Sequence, residues 1–252
     1  MLQFPNISPI AFSIAGFDIY WYGLAYVATI FLGAKQCKYY AKKYYPKLVN
    51  IEDAIPLIVL GILIGGRLGC IVFYDIGYYL SHPLEMLKRS GMAFHGGLIG
   101  AFVGVWLFSR KIEQPLLSVT DIISAPAPLA GIFIRLANFI NGELYGRPTS
   151  VAWGMIFPRS DGQIRHPSQL YEMFFEGMVL YIVTNIVYIK FHKMRGIPTG
   201  IAVLLYGIFR FIVEFFREPD GMVWVFTKGQ FLCIPMIILG FVVIYSSTTK
   251  NK

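Results

Sequence analysis

The chain has 252 residues, of which 56% are hydrophobic and only 14% charged, and its mean hydropathy is +0.59. A soluble domain of this size does not carry so much apolar sequence, so the composition excludes a soluble enzyme and points to an all-α polytopic membrane protein. The net charge of +8 matches Lys side chains facing anionic lipid headgroups; with no basic–aromatic motif, nucleic acid is not an expected partner.

A membrane span needs roughly 20 mostly apolar residues, and the pattern predicts about seven of them. The first, roughly 18–36, opens with the aromatic run Tyr20, Trp21 and Tyr22. It starts too late for a cleaved signal peptide and is expected to stay as a helix. The aromatic run fits an interfacial belt; a ligand-facing Tyr22 hydroxyl is the alternative. The second span, roughly 54–74, carries Gly61, Gly65, Gly66, Arg67 and Gly69, with Asp121 as a possible mate for Arg67. The third, roughly 92–109, begins near His95, a side chain suited to proton transfer or to simple packing. Gly96, Gly100 and Gly104 follow as a stripe that lets another helix approach closely.

The fourth span, roughly 119–140, contains Arg135 and Asn138, an i,i+3 pair on one face that Asn141 continues. Gly142, Gly146 and Pro148 then break the helix around Glu143 and Arg147. Charge near the bilayer core costs at least ~2.5–3.5 kcal/mol on insertion scales, so these groups are rarely idle. Irregular backbone at this depth suits a cavity wall; a structural Arg–Glu pair between helices is the competing reading. The stretch 141–168 is long enough for a small ordered extracytoplasmic cap but too short for a second domain. Residues 1–252 are therefore expected to form a single integral membrane domain.

The fifth span, roughly 169–190, follows the Pro167–Ser168 helix start, with Gln169, Glu172 and Glu176 on one face. In the sixth, roughly 198–217, Tyr206, Arg210, Glu214 and Arg217 share a face. Two readings stay open there: Arg210 neutralised by Glu214 as structural glue, or Arg210 contacting an anionic ligand while Glu214 orients it. The seventh runs roughly over 229–247. Cys37, Cys70 and Cys233 lie in or beside spans, with neither metal spacing nor a disulfide framework.

Loop charges orient the chain. Lys35, Lys38, Lys42, Lys43 and Lys47, then Arg110 and Lys111, then Lys190, Lys193 and Arg195, then Lys250 and Lys252 fall in alternate segments. These should be cytoplasmic, which puts the N-terminus outside and the C-terminus inside. The remaining cations are mostly Arg, including Arg67, Arg89, Arg135, Arg147, Arg159, Arg165, Arg210 and Arg217. Arg offers a planar, non-titrating fork for phosphate or carboxylate. A site toward the outer leaflet for an anionic amphiphile, such as a phospholipid headgroup, is the expectation.

These residues also carry a resemblance. The stretch from Arg135 through Asn138, Asn141, Gly142 and Glu143 to Gly146 and Arg147 resembles the signature of the prolipoprotein diacylglyceryl transferase family. So do Trp21-Tyr22-Gly23-Leu24, Gly65-Gly66-Arg67 and Phe94-His95-Gly96-Gly97-Leu98-Ile99-Gly100. The segments Arg165-His166-Pro167-Ser168-Gln169-Leu170-Tyr171-Glu172 and Tyr206 through Arg210, Glu214 and Arg217 to Asp220 complete it, in the family's order. Ala137 stands where the family has Gly, and the loop before Arg165 is short.

The resemblance implies transfer of a diacylglyceryl group from phosphatidylglycerol to the lipobox cysteine thiol of a prolipoprotein, at the bacterial cytoplasmic (inner) membrane. It implies no metal and no organic cofactor. The nucleophile belongs to the substrate, so no enzyme thiol is needed. On this reading His95 helps deprotonate the thiol, while Arg135 and Arg210 hold the phosphate as its charge grows. Asn138, Tyr22 and Glu143 position the headgroup, Gly146 and Tyr206 complete its site, and Glu214 fixes Arg210. The alternatives are another phospholipid headgroup transferase, which would commonly use a carboxylate-bound metal, or a lipid transporter, which would commonly show inverted repeats.

Overall fold

The computed structural model describes residues 2–250 except 6, 49, 75, 83–92, 159 and 220, and omits the side chains of residues 73, 74, 94, 95 and 250. Arg89, Arg159 and Asp220, singled out in the sequence, thus lie outside the described residues, as does the His95 side chain. The chain is mostly helical. A short hairpin, β1 (Ile10–Ile14) and β2 (Phe17–Tyr20), leads into α1 (Trp21–Tyr44). Then follow α2 (Ala54–Tyr74), α3 (Ile76–Ser81), α4 (Phe94–Lys111), α5 (Leu116–Ser124) and α6 (Leu129–Ile140). Next come α7 (Ser168–Glu172), a π-helical stretch (Met173–Val179), α8 (Leu180–Phe191) and α9 (Ile197–Val213). A second hairpin, β3 (Met222–Val223) and β4 (Phe226–Thr227), precedes α10 (Lys228–Lys250).

Among the described residues, Ile51–Val72, Ser168–Phe191 and Lys228–Thr249 are long and apolar enough to cross a membrane, and α5 with α6 makes a fourth span if the pair, bent by 45°, is counted as one. The bend has a sequence cause: Pro126 and Pro128 separate the two helices and interrupt the backbone ladder. The Ala125 carbonyl at the bend accepts Thr184 Oγ1 at 3.1 Å and Asn185 Nδ2 at 3.2 Å, so it is not left orphaned in an apolar setting.

Two sequence expectations change here. The first span does not begin at Asp18, because residues 10–20 pair as a hairpin. Its turn, Ala15 (φ 49°) and Gly16 (φ 82°), has the double positive φ of a tight two-residue connection. The sixth helix ends at Val213, so Glu214 caps it and Arg217 lies beyond it, where Gly146 pairs with Arg217 and Arg147 N donates to Phe216 O.

The chain forms two compact units, residues 38–120 and residues 1–37 with 121–252. In the first, α2 and α4 meet through glycine, as the stripe predicted. A Cβ on Gly100 would lie 1.9 Å from Gly61 O, and one on Gly65 2.3 Å from Gly96 O, so the backbones touch where no side chain fits. The Arg67 guanidinium lies 5.1 Å from the Tyr79 ring centroid.

In the second unit, Asp121 is fully buried and serves α9. It accepts Gly196 N at 2.7 Å and Thr199 N at 3.0 Å, satisfying donors that the first turn of α9 would otherwise leave open. It also takes the Thr199 hydroxyl, so its carboxylate is a helix cap. Also in this unit, Gly131 of α6 packs on the π-helical stretch at Glu176–Gly177, where a Cβ on either glycine would meet the other backbone within about 3 Å. That contact sets the register of everything one turn further along both segments.

Candidate active site

One turn beyond the Gly131–Gly177 contact, Arg135 of α6 faces Glu172 of α7, with Nη2 to Oε2 at 2.7 Å. The same carboxylate receives Arg210 Nη1 at 2.8 Å and Arg217 Nη1 at 2.6 Å. Glu172 is therefore the junction of three guanidinium groups drawn from α6, α9 and the segment after α9. Its side chain is wholly buried, whereas those of Arg135 and Arg210 keep 20% and 15% exposure, so the groups still open to a ligand are the cations.

Glu214 forms a second link. Its Oε2 lies 3.1 Å from Arg210 Nη2 and 3.4 Å from Arg217 Nε, and its Oε1 accepts the Thr227 hydroxyl at 3.0 Å. Gly229, in the first turn of α10, leaves the room: a Cβ there would sit 2.4 Å from Glu214 Oε1. Glu176 adds a weaker contact to Arg210, at 3.6 Å. Tyr206, one turn before Arg210 on α9, stands in the electrostatic field of Glu176 and Arg210.

Arg135 also donates to Asn138 Oδ1 at 3.3 Å, and Asn138 Nδ2 reaches the Tyr22 hydroxyl at 3.2 Å and Glu143 Oε1 at 2.8 Å. Asn138 is 1% exposed, so its polar atoms are spent inside this network. Asn141 adds a longer bond to Glu143 Oε1, and Gln169 Nε2 donates to the Glu143 carbonyl. The Arg–Glu pairing between helices that the sequence left open is made by Arg135, which meets Glu172 of α7. Arg147 Nε donates to Arg217 O at 2.8 Å and holds the main chain that carries Arg217.

Gly146 acts through its backbone. Its N–H donates to His166 O, its carbonyl accepts Arg165 Nη1 at 3.0 Å, and a Cβ there would fall 2.2 Å from Phe216 O. Arg165 also pairs with Asp161 at 2.9 Å and with Glu218. The Arg165 guanidinium holds Asp161 below the usual carboxylate range, and burial pushes the His166 imidazole down.

The structure thus brings together Tyr22, Arg135, Asn138, Glu143, Tyr206, Arg210 and Glu214, all in one unit, with Gly146 beside Arg217. His95 is on α4 in the other unit, its side chain outside the described residues. Sequence reasoning placed Glu172 on a polar helix face and at the end of a segment resembling the family, with no role assigned. Its role as the junction follows from the crossing of α6 and α7, and the one available signal was a carboxylate in an apolar span with Arg in two others. Arranged this way, the cluster can receive an anion in a low-dielectric setting and stabilise negative charge that grows on it.

The model of the family described as prolipoprotein diacylglyceryl transferase matches residues 9–246. The phosphatidylglycerol–prolipoprotein diacylglyceryl transferase of Rickettsia canadensis (strain McKiel) is 46% identical over 259 residues, covering 98% of this chain and 99% of that protein. The protein of that name from Rickettsia rickettsii (strain Sheila Smith) is 45% identical over 99% of this chain and 100% of its own. The one from Wolbachia pipientis (strain wPip) is 45% identical over 94% of each. With a match of this length, the chain belongs to the prolipoprotein diacylglyceryl transferase family.

Proposed function

We propose that this chain transfers the diacylglyceryl group of phosphatidylglycerol to the lipobox cysteine of prolipoproteins. The observation that carries this reading is the set of Arg135, Arg210 and Arg217 converging on the one buried carboxylate of Glu172, in a chain similar along its length to enzymes named for that reaction. The substrate thiol loses its proton, the sulfur bonds to the glyceryl carbon, and the carbon–oxygen bond to phosphate breaks. Glycerol phosphate leaves with the electron pair, and a thioether remains.

Arg135 and Arg210 hold the phosphate, and their donors strengthen as the leaving oxygen gains charge. Asn138, Tyr22 and Glu143 position the headgroup, Gly146 and Tyr206 complete its site, and Glu214 fixes Arg210. His95 takes the thiol proton. The enzyme works as one integral membrane domain of seven spans in the bacterial inner membrane: α1, α2, α4, the bent pair α5–α6, α7 through α8, α9 and α10. The N-terminus lies outside, the C-terminus is cytoplasmic, and segment 141–168 forms an extracytoplasmic cap near the outer-leaflet site. The alternating Lys-rich segments support that orientation.

The test is direct. Purified protein with phosphatidylglycerol and a lipobox peptide should yield, by mass spectrometry, a diacylglyceryl adduct on Cys, and none on a Cys→Ser peptide. Absence of adduct under conditions where the Rickettsia relative works would overturn the proposal.

A further inference from the structure

Arg135, Arg210 and Arg217 pair directly with Glu172, Glu176 and Glu214, so with every group ionised the formal charge of this ion-paired set cancels. A phosphodiester headgroup would add a negative charge to a site that is already balanced. An uncompensated charge in such a setting is costly, so its arrival calls for a matching change inside the cluster. The three carboxylates are not equivalent. Glu172 holds all three guanidiniums, and Glu214 holds two and a threonine hydroxyl. Glu176 has its ion pair with Arg210 at 3.6 Å; its Oε1 accepts no hydrogen bond among the described residues, and the residue is 4% exposed. It sits in the middle of the π-helical stretch, a geometry common at functional sites.

We propose that Glu176 takes up one proton when the anionic headgroup binds, which restores charge balance and frees Arg210 of its longest ion-pair contact, at 3.6 Å. This rests on the reading of the arginine cluster as the headgroup site. Neutralising Glu176 sacrifices the weakest contact of the cluster and leaves the Glu172 junction intact. The charged and titratable groups that face it are Arg210 and Tyr206 on α9, Arg135 on α6, Glu172 on α7, Arg217 after α9, and Cys233 on α10. None of the cations among them titrates near neutral pH, so the coupled proton goes to a carboxylate, and Glu176 loses least by accepting it.

The experiment is calorimetric titration of the full chain in micelles with short-chain phosphatidylglycerol, in buffers of different ionisation heat. Wild-type protein should take up about one proton per headgroup bound, and its affinity should fall as pH rises, by at most about tenfold per unit. Glu176→Gln should bind phosphatidylglycerol with no buffer-dependent heat and no such pH slope. Infrared difference spectra on wild-type protein should show a protonated carboxyl C=O stretch appearing on binding, a band missing in Glu176→Gln. Binding without proton uptake or without that band in wild type, or uptake that persists in Glu176→Gln, overturns the inference while leaving the headgroup site standing. Failure of wild-type protein to bind phosphatidylglycerol overturns the reading of the site itself.

Discussion

Replacing Glu172 by Gln keeps the volume of the side chain and removes the charge at the junction. The consequence can be worked out partner by partner. Arg210 keeps Glu176 and Glu214, and Arg217 keeps Glu214. Arg135 has Glu172 as its one carboxylate within 4.0 Å among the described residues, so it is the cation left without a counter-charge. Breaking one buried pair typically costs ~3–5 kcal/mol. The 20% exposure of the Arg135 side chain lets water screen part of that loss, which lowers the expected cost toward ~2–3 kcal/mol. Arg135 should then turn toward water and away from Arg210, and diacylglyceryl transfer should fall on the order of 10²-fold, the scale of losing one preorganised donor. Initial rates of adduct formation, read with a thermal melt of the detergent-solubilised protein, provide the assay. A double-mutant cycle with Arg135→Ala should show strong non-additivity, because the two changes remove one linkage. Transfer within about threefold of wild type, with an unchanged melt, would refute the assignment of Glu172 as the residue that holds the arginines.

Further outcomes are expected from the same geometry. Gly146→Ala drives a Cβ to 2.2 Å from Phe216 O and must displace the main chain that carries Arg217; transfer should drop at least ~10²-fold, the scale of a 1 Å misplacement, while the protein still inserts, and retained activity would count against a fixed Gly146–Arg217 pairing. Gly100→Val places atoms inside the Gly61 backbone, so residues 38–120 should lose ~3 kcal/mol or more, seen as a lowered melt and poor recovery of monodisperse protein. Segment 160–166 should loosen in acid. His166 is pushed down by burial, so stability is fully present above the ordinary imidazole value of ~6.5 and declines as pH drops below it. Asp161 is held down by Arg165, so its contribution is present above ~3.9 and is lost as pH falls through its folded value. Hydrogen exchange across this segment should show both steps, and His166→Gln should remove only the upper one.

Much of this protein is legible residue by residue. Apolar runs of span length come from the energetics of lipid, and each must satisfy its own backbone, so helices follow from composition alone. The glycines at positions 96, 100 and 104 announce a close helix contact because small side chains permit no other economical use in an apolar helix. Arg135 with Asn138, and Arg210 with Glu214, can be placed on common faces by helical spacing. The family pattern adds the order of the motifs, which local physics does not supply.

Spacing could not say which charges meet. Glu143 and Arg147 are four apart, yet the helix has ended by then, and Glu143 turns to Asn138 while Arg147 holds the main chain at Arg217. Asp121 caps a helix that begins 76 positions later in the chain, at Ile197. Residues 10–20 form a hairpin because Ala15 and Gly16 adopt a turn with both φ angles positive, a conformation that apolar content does not reveal. Above all, Glu172 became the centre of the site through the crossing of α6 with the segment that carries Gly177, the arrival of α9 beside it, and the return of the chain to Gly146. Sequence by itself determined that charge must lie at membrane depth and that it must be compensated there. Only the tertiary structure decided which carboxylate compensates which arginine, because a buried ion pair depends on contacts between helices far apart along the chain.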